Sequence, residues 1–232
     1  MRRFLLVLLL CLGTLSGWAQ QQSKKPAPPA PSASEGQRED GLYATLDTSM
    51  GKIVIRLFEK DAPKTVANFV GLATGKKRWR DSTTGQVVTG KPFYDGIIFH
   101  RVIPKFMVQA GSHLARGART SANIPDEFSP GLKYDRPGRV GMANIGQPHT
   151  GNSEFFITHG PTPHLDGKHT IFGQVVEGQD IVAAIGNVPR DANDQPRSPV
   201  TINKVTIERV GPAPEPARQS PQGVGGPAAK PQ

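Results

Sequence analysis

Apolar and polar residues alternate over short stretches of this chain more often than apolar residues recur at helical spacing. Ile53, Ile55 and Leu57 are interleaved with Lys52, Val54 and Arg56, and Val205 and Ile207 with Thr206 and Glu208. A period of two sends successive side chains to opposite faces, so these segments read as half-buried β-strands. Further β-like runs are Leu42 to Asp47, Ile97 to Val102, Phe106 to Gln109, Val140 to Ala143, Phe155 to Thr158 and Ile171 to Val176. Gly, Pro, Asn and Asp lie between them, residues that favour turns over a continued ladder. Eight short strands so spaced suggest a barrel.

Two segments break the pattern. Asp61-Ala62-Pro63 supplies an N-cap and an early proline ahead of Val66, Phe69, Val70 and Ala73, with Gly75 as a stop, which predicts a helix. A second helix is predicted over Gly178 to Ile185, where Ile181, Val182 and Ile185 fall at helical spacing.

The two ends differ in kind from the middle. The opening MRRFLLVLLLCLGTLSGWAQ places two arginines before an apolar stretch from Phe4 to Leu12 and ends on Gly17-Trp18-Ala19. This is the layout of a secretory signal cleaved near Ala19, and the stretch is too short to span a bilayer. Residues 20–40 are rich in Pro, Ala, Ser and Gln, and residues 212–232 in Pro and Gly. Such segments bury too little apolar surface to offset the entropy of ordering, so both read as disordered, a spacer and a tail around a folded domain at 41–211. Cys11, the only cysteine, lies inside the leader. Cleavage would leave a chain without disulfides, thiol catalysis or zinc–thiolate sites. After the leader no apolar run is long enough for a transmembrane helix. Export is expected, to the periplasm first and to the medium second.

Composition narrows the chemistry. The formal net charge is +9, which permits acidic partners without demanding them. The basic cluster Lys76, Lys77, Arg78 and Arg80 has no nucleic-acid-binding module beside it, so it reads as a solvated loop and no nucleic-acid partner is expected. There is no G-x-S-x-G, HExxH or G-x-x-x-x-G-K-[ST], and no strand followed by G-x-G-x-x-G. Serine hydrolases, zincins and nucleotide enzymes lose support, and no cofactor is expected. His159, His164 and His169 are interrupted by Pro161 and Pro163 and lack a metal-ligand spacing, so no metal is expected either.

Polar residues interrupt a hairpin that otherwise reads as buried: Phe99-His100-Arg101-Val102-Ile103-Pro104-Lys105-Phe106-Met107-Val108-Gln109-Ala110-Gly111. A buried arginine is costly unless paired. Arg101 therefore has either a partner within the barrel, the reading the residues alone favour, or a groove that receives a ligand. Further mixtures of aromatic and polar residues follow at Met142-Ala143-Asn144, at Asn152-Ser153-Glu154-Phe155-Phe156 and from His164 to Gly173.

Together the blocks FHRVIPKFMVQAG, MAN, NSEFFITH and LDGKHTIFGQV resemble the signature blocks of cyclophilin-type peptidyl-prolyl cis-trans isomerases, over roughly 42–210, here in an exported bacterial form. The resemblance implies a mainly β fold: a closed eight-stranded antiparallel barrel capped by two helices, with a peptide groove on its outer face. It implies Arg101 as the catalytic arginine, Gln109 as its orienting neighbour and His100 lining the groove. It implies a proline pocket of Phe106, Met107, Phe156, Leu165 and His169, and places Ala143 and Asn144 where residues preceding the proline are received. The implied activity is isomerisation of X-Pro bonds during folding of exported proteins, with proline-containing unfolded or flexible polypeptides as partners. The alternative is a module that holds proline segments with little turnover. Since no proton transfer is needed, His100 and His169 need not titrate, and weak pH dependence near neutrality is expected.

Two residues depart from the family pattern. Glu154 stands where glutamine is common; the expectation is a negative groove favouring basic or neutral peptides, with Glu154 paired to Arg101. His164 stands where many members have tryptophan, so cyclosporin-like ligands are expected to bind more weakly.

Overall fold

The computed structural model describes residues 38–81, 83–112 and 122–214. The leader, the spacer as far as Gln37 and the tail from residue 215 lie outside the described residues. Arg38–Asp40, at the end of the proposed spacer, join the folded part: Arg38 pairs with Glu177 at 3.0 Å and Glu208 at 3.2 Å, and Tyr43 Oη donates to the Glu39 carbonyl at 2.8 Å.

Nine strands form one antiparallel sheet: β1 (Gly41–Thr48), β2 (Gly51–Leu57), β5 (Ile97–Ile98), β6 (Arg101–Ile103), β7 (Met107–Ala110), β8 (Arg139–Met142), β9 (Phe155–Thr158), β10 (Ile171–Glu177) and β11 (Thr201–Val210). Their order is β5-β11-β1-β2-β10-β8-β9-β7-β6. The two ends of that order, β5 and β6, are consecutive pieces of one segment. Phe99 N donates to Val200 O on the β11 side at 2.9 Å, and the next residue, His100, donates to Gln109 O on the β7 side at 3.1 Å. The expected eight strands are thus nine: the run from Ile97 to Val102 changes partner between Phe99 and His100, and the sheet curls so that its ends meet there through the chain rather than through a continuous ladder.

The helices are α1 (Pro63–Ala73) and α2 (Gln179–Gly186). In α1 Pro63 stands in the first turn, and Gly75, just past the end at φ 72°, takes the left-handed conformation that stops a helix. Asp61 does not cap it. The carboxylate of Glu127, distant in sequence, accepts from Lys64 N at 3.0 Å and Thr65 N at 2.8 Å, while Asp61 accepts from Ser129 Oγ. Two orphan N–H groups and the positive helix end are satisfied by one remote anion.

The basic loop is also more ordered than expected. β3 (Trp79–Arg80) and β4 (Val87–Val88) form a small separate hairpin, held by buried Trp79, whose indole N–H donates to Lys91 O at 3.0 Å.

Alternation along the strands divides the apolar residues into two clusters. Leu46, Ile53, Ile55, Phe99, Val108, Phe155, Ile157 and Phe172 point inward, where α1 contributes Phe69 against Tyr94, Phe155 and Phe172 at ring separations of 4.9, 5.6 and 5.5 Å. The second cluster holds Met107, Tyr134, Phe156 and Ile171, flanked by Phe58, Ile103, Phe106, Leu132, Ala143 and Leu165. Phe155 and Phe156, adjacent in β9, belong to different clusters, as a period of two requires.

Candidate active site

Antiparallel register builds the site in ranks across the outer face of the sheet. Arg101 in β6 lies opposite Gln109 in β7, Gln109 opposite Phe156 in β9, and Phe156 opposite Gly141 in β8. One rank therefore carries a cation, an amide and an aromatic ring side by side at the spacing of neighbouring strands, about 4.8 Å. Met107 lies one pleat along β7 from Gln109 and is 2% exposed.

Arg101 is exposed, not buried in a structural pair as the residues alone favoured. Its guanidinium makes no hydrogen bond or ion pair among the described residues. It stands at the edge of the second apolar cluster with its donors open.

That cluster is built around an aromatic stack. Phe156 stacks on Tyr134 at 5.8 Å with an interplanar angle of 22°, and His169 meets Phe156 edge-on at 5.3 Å and 90°. Gly141 makes the stack possible: a Cβ there would overlap both the Tyr134 hydroxyl and Cζ of Phe156. Tyr134 Oη donates to the His169 carbonyl at 3.3 Å, and His169 Nδ1 is 3.1 Å from the Met142 carbonyl. Burial pushes the His169 imidazole below its ordinary pKa, against a smaller opposing effect of that carbonyl. It is therefore neutral at pH 7, with Nδ1 as the protonated nitrogen, since a carbonyl only accepts. Burial likewise drives the Tyr134 phenol far upward, so it remains a donor.

The rim of the pocket comes from turns. Between β6 and β7, Phe106 N donates to Ile103 O at 3.1 Å across Pro104 and Lys105, and Lys105 takes φ 62°, an uncommon value for a residue with a side chain. Phe106 O in turn accepts from His159 N at 2.9 Å, fixing the ring's base. His164, in a short 3-10 turn at Pro163–Leu165, is exposed and lies over Phe106 at 5.5 Å and 32°. Leu165 is half-buried in the cluster.

Glu154 does not pair with Arg101. Its Oε2 accepts from Gln109 Nε2 at 2.8 Å and lies 3.5 Å from Nε2 of His100, a buried side chain whose Nδ1 has no partner. The Gln109 amide group is thereby turned to Glu154, and no hydrogen bond joins it to Arg101. Gly111, with φ 98°, lets the end of β7 approach the backbone of Ser153 and Glu154 more closely than a Cβ would permit.

Ala143 and Asn144 are half-buried beside Glu154, with Ala143 N donating to Glu154 O at 2.9 Å. The Asn144 side chain is engaged locally, donating to Lys168 O at 2.8 Å and accepting from Gly146 N at 3.0 Å. Its own backbone N–H and C=O have no partner among the described residues.

The structure brings the expected residues close together, with Arg101 free of partners among the described residues and Gln109 turned to Glu154; His100 differs from expectation, since its side chain is buried against Glu154 rather than lining a groove. It adds Tyr134, Gly141, Ile171 and Ile103, which sequence reasoning passed over. Tyr134 sits in the polar run Lys133-Tyr134-Asp135-Arg136, where no periodicity marks it. The histidines disperse: His164 rests on Phe106, His169 on Phe156, and His159 packs against Gly186 of α2. Among the described residues no three His, Cys, Asp or Glu side chains converge as a metal site, and no helix is long and apolar enough to cross a membrane.

Comparisons with known proteins agree with this geometry. The family model described as "Cyclophilin type peptidyl-prolyl cis-trans isomerase/CLD" matches residues 43–207. Peptidyl-prolyl cis-trans isomerase A of Mycobacterium tuberculosis is 49% identical over 167 residues, covering 71% of this chain and 91% of that protein. Peptidyl-prolyl cis-trans isomerase B of Streptomyces anulatus is 46% identical over 171 residues, covering 72% of this chain and 97% of that protein. A crystal structure of a Cryptosporidium parvum cyclophilin type peptidyl-prolyl cis-trans isomerase, determined in the presence of the dipeptide Ala-Pro, is similar at TM-score 0.61 and 29% identity, covering 72% of this chain and 99% of that one.

Proposed function

Because the chain belongs to the cyclophilin-type peptidyl-prolyl cis-trans isomerases, and is such an isomerase, we propose that it turns over X-Pro bonds through the rank Arg101–Gln109–Phe156, in proteins exported from the cytoplasm. The observation that carries the site is an unpaired, exposed guanidinium directly across two strands from an aromatic pocket floor.

The chemistry follows from the bond itself. Amide resonance sets a rotational barrier of about 18 to 20 kcal/mol, and uncatalysed exchange takes tens to hundreds of seconds. Millisecond turnover needs roughly a 10⁵-fold acceleration, about 7 kcal/mol. In the twisted state the prolyl nitrogen leaves conjugation and becomes a better hydrogen-bond acceptor. A donor fixed at Arg101 then binds the twisted state more tightly than either planar one, which is what lowers a barrier. Losing one preorganised donor in a comparable site costs about 2.7 to 4 kcal/mol, so the arginine supplies about half the requirement. The rest falls to walls that hold the ring still while the preceding carbonyl swings. Phe106, Met107, Phe156, Leu165 and His169 are those walls, and the Asn144 backbone anchors the residues before the proline. An Ala-Pro dipeptide accompanying the Cryptosporidium relative supports a proline-sized occupant.

Loss of catalysed exchange in Arg101→Ala tests the assignment. Exchange spectroscopy on a proline tetrapeptide is expected to show strong acceleration by the wild type and little by the variant; equal acceleration would remove Arg101 from the site. His164 offers cyclosporin-like ligands no indole face or N–H, so weaker binding than to a tryptophan-bearing relative is expected by titration.

The leader Met1–Ala19 supports export. Cell fractionation is expected to recover a shortened chain outside the cytoplasm, and deletion of residues 1–19 to retain it inside. Recovery of the full-length chain in the cytoplasm would set the export reading aside.

A further inference from the structure

Glu154 is a carboxylate with only 16% of its side chain exposed and no lysine or arginine paired to it among the described residues. One oxygen is held by neutral Gln109 at 2.8 Å and lies 3.5 Å from His100; the other makes no hydrogen bond among the described residues. A half-buried anion with one oxygen left for a ligand favours a cation arriving with that ligand through charge complementarity. Arg101 makes no ion pair with it.

Its position says which part of a ligand would bring the charge. Glu154 precedes Phe156 by two residues, so it stands one pleat along the same face, about 7 Å from the pocket floor. Its carbonyl is tied to Ala143 N, abreast of the open Asn144 backbone. An extended peptide advances about 3.3 Å per residue, so with proline seated on Phe156 the residue two positions earlier lies beside Glu154. We infer that Glu154 selects substrates carrying lysine or arginine two residues before the proline. The inference rests on the proposed seating of proline at Phe156 and deepens it to a substrate class.

The test uses acetylated Xaa-Ala-Pro-Phe peptides with Xaa as Lys, Gln or Glu, measuring both Kd and catalysed exchange on the full chain. For the wild type we expect Lys over Glu by about tenfold in Kd, shrinking as salt is raised. Glu154→Gln, which keeps the side-chain shape and a hydrogen-bonding partner for Gln109, is expected to bring the ratio near one, and Glu154→Lys to invert it. A ratio unchanged by Glu154→Gln, or equal Kd values for the three peptides on the wild type, would overturn the inference. The Kd ratio reads the preference whether or not exchange accelerates, so loss of acceleration on every peptide counts against the isomerase site alone.

Discussion

The Gln109 side-chain amide donates to Glu154 at 2.8 Å, although register places Gln109 directly opposite Arg101. Neighbours in a rank need not be partners. A charged acceptor draws a stronger hydrogen bond than a neutral one, and a carboxylate cannot donate, so the amide turns its NH₂ group toward Glu154. The arginine is left with its donors free among the described residues, which suits the proposed role of meeting a prolyl nitrogen only as it twists.

Removal of Arg101 should therefore separate activity from stability. An exposed side chain with no partner contributes about 0.5 kcal/mol or less to folding. Arg101→Ala is expected to lower kcat/KM by about 10² to 10³ while leaving the midpoint of thermal unfolding nearly unchanged. Calorimetry beside a prolyl exchange assay measures both, and a large fall in stability would show that the guanidinium has a structural partner.

Gly141→Ala should do the reverse of a neutral change. The added methyl group collides with Tyr134 and Phe156, so the stack must move or the strand must shift. Overpacking of this kind costs about 1 to 3 kcal/mol, and turnover is expected to fall further than stability because Phe156 is the proposed seat of the proline ring. Unfolding in urea and kcat/KM on one peptide decide it; unchanged values for both would mean the face is slack.

Glu127→Ala removes the anion from the first turn of α1. Loss of a helix cap costs about 1 kcal/mol and up to 2, or roughly 2 to 4 °C in Tm per kcal/mol for a domain of this size. Asp61→Ala, which removes one side-chain hydrogen bond, from Ser129, among the described residues, is expected to cost less. A larger effect at Asp61 than at Glu127 would contradict the observed cap.

Acidification should destabilise the fold through two histidines. Burial holds both His169 and His159 below their ordinary pKa, so each binds its proton more weakly folded than unfolded. Stability from these groups is complete above the unfolded value of about 6.5 and is lost as pH falls through the lower folded values. Tm is expected to be flat from pH 7 to 8 and to decline on the acid side. His169→Gln should remove part of that decline and His159→Gln another part. Turnover, which moves no proton, is expected to be level across neutrality. A bell-shaped kcat profile centred there would point to acid–base chemistry instead.

Local pattern alone determined much of this protein. Alternation or a β-like run between turn residues marked each segment of the main sheet and apolar spacing marked both helices, because a face to be buried must be written at the period of its element; the expected site residues, Arg101 and Phe156 among them, came instead from the resemblance carried by the quoted blocks. What pairs across space is not written that way. That the Ile97–Val102 run splits between two partners, that Glu127 rather than Asp61 caps α1, that Tyr134 underlies Phe156, and that Gln109 serves Glu154 instead of Arg101 are consequences of register and closure. Each depends on which distant groups compete for one donor or one space, and that competition exists only once the sheet has curled.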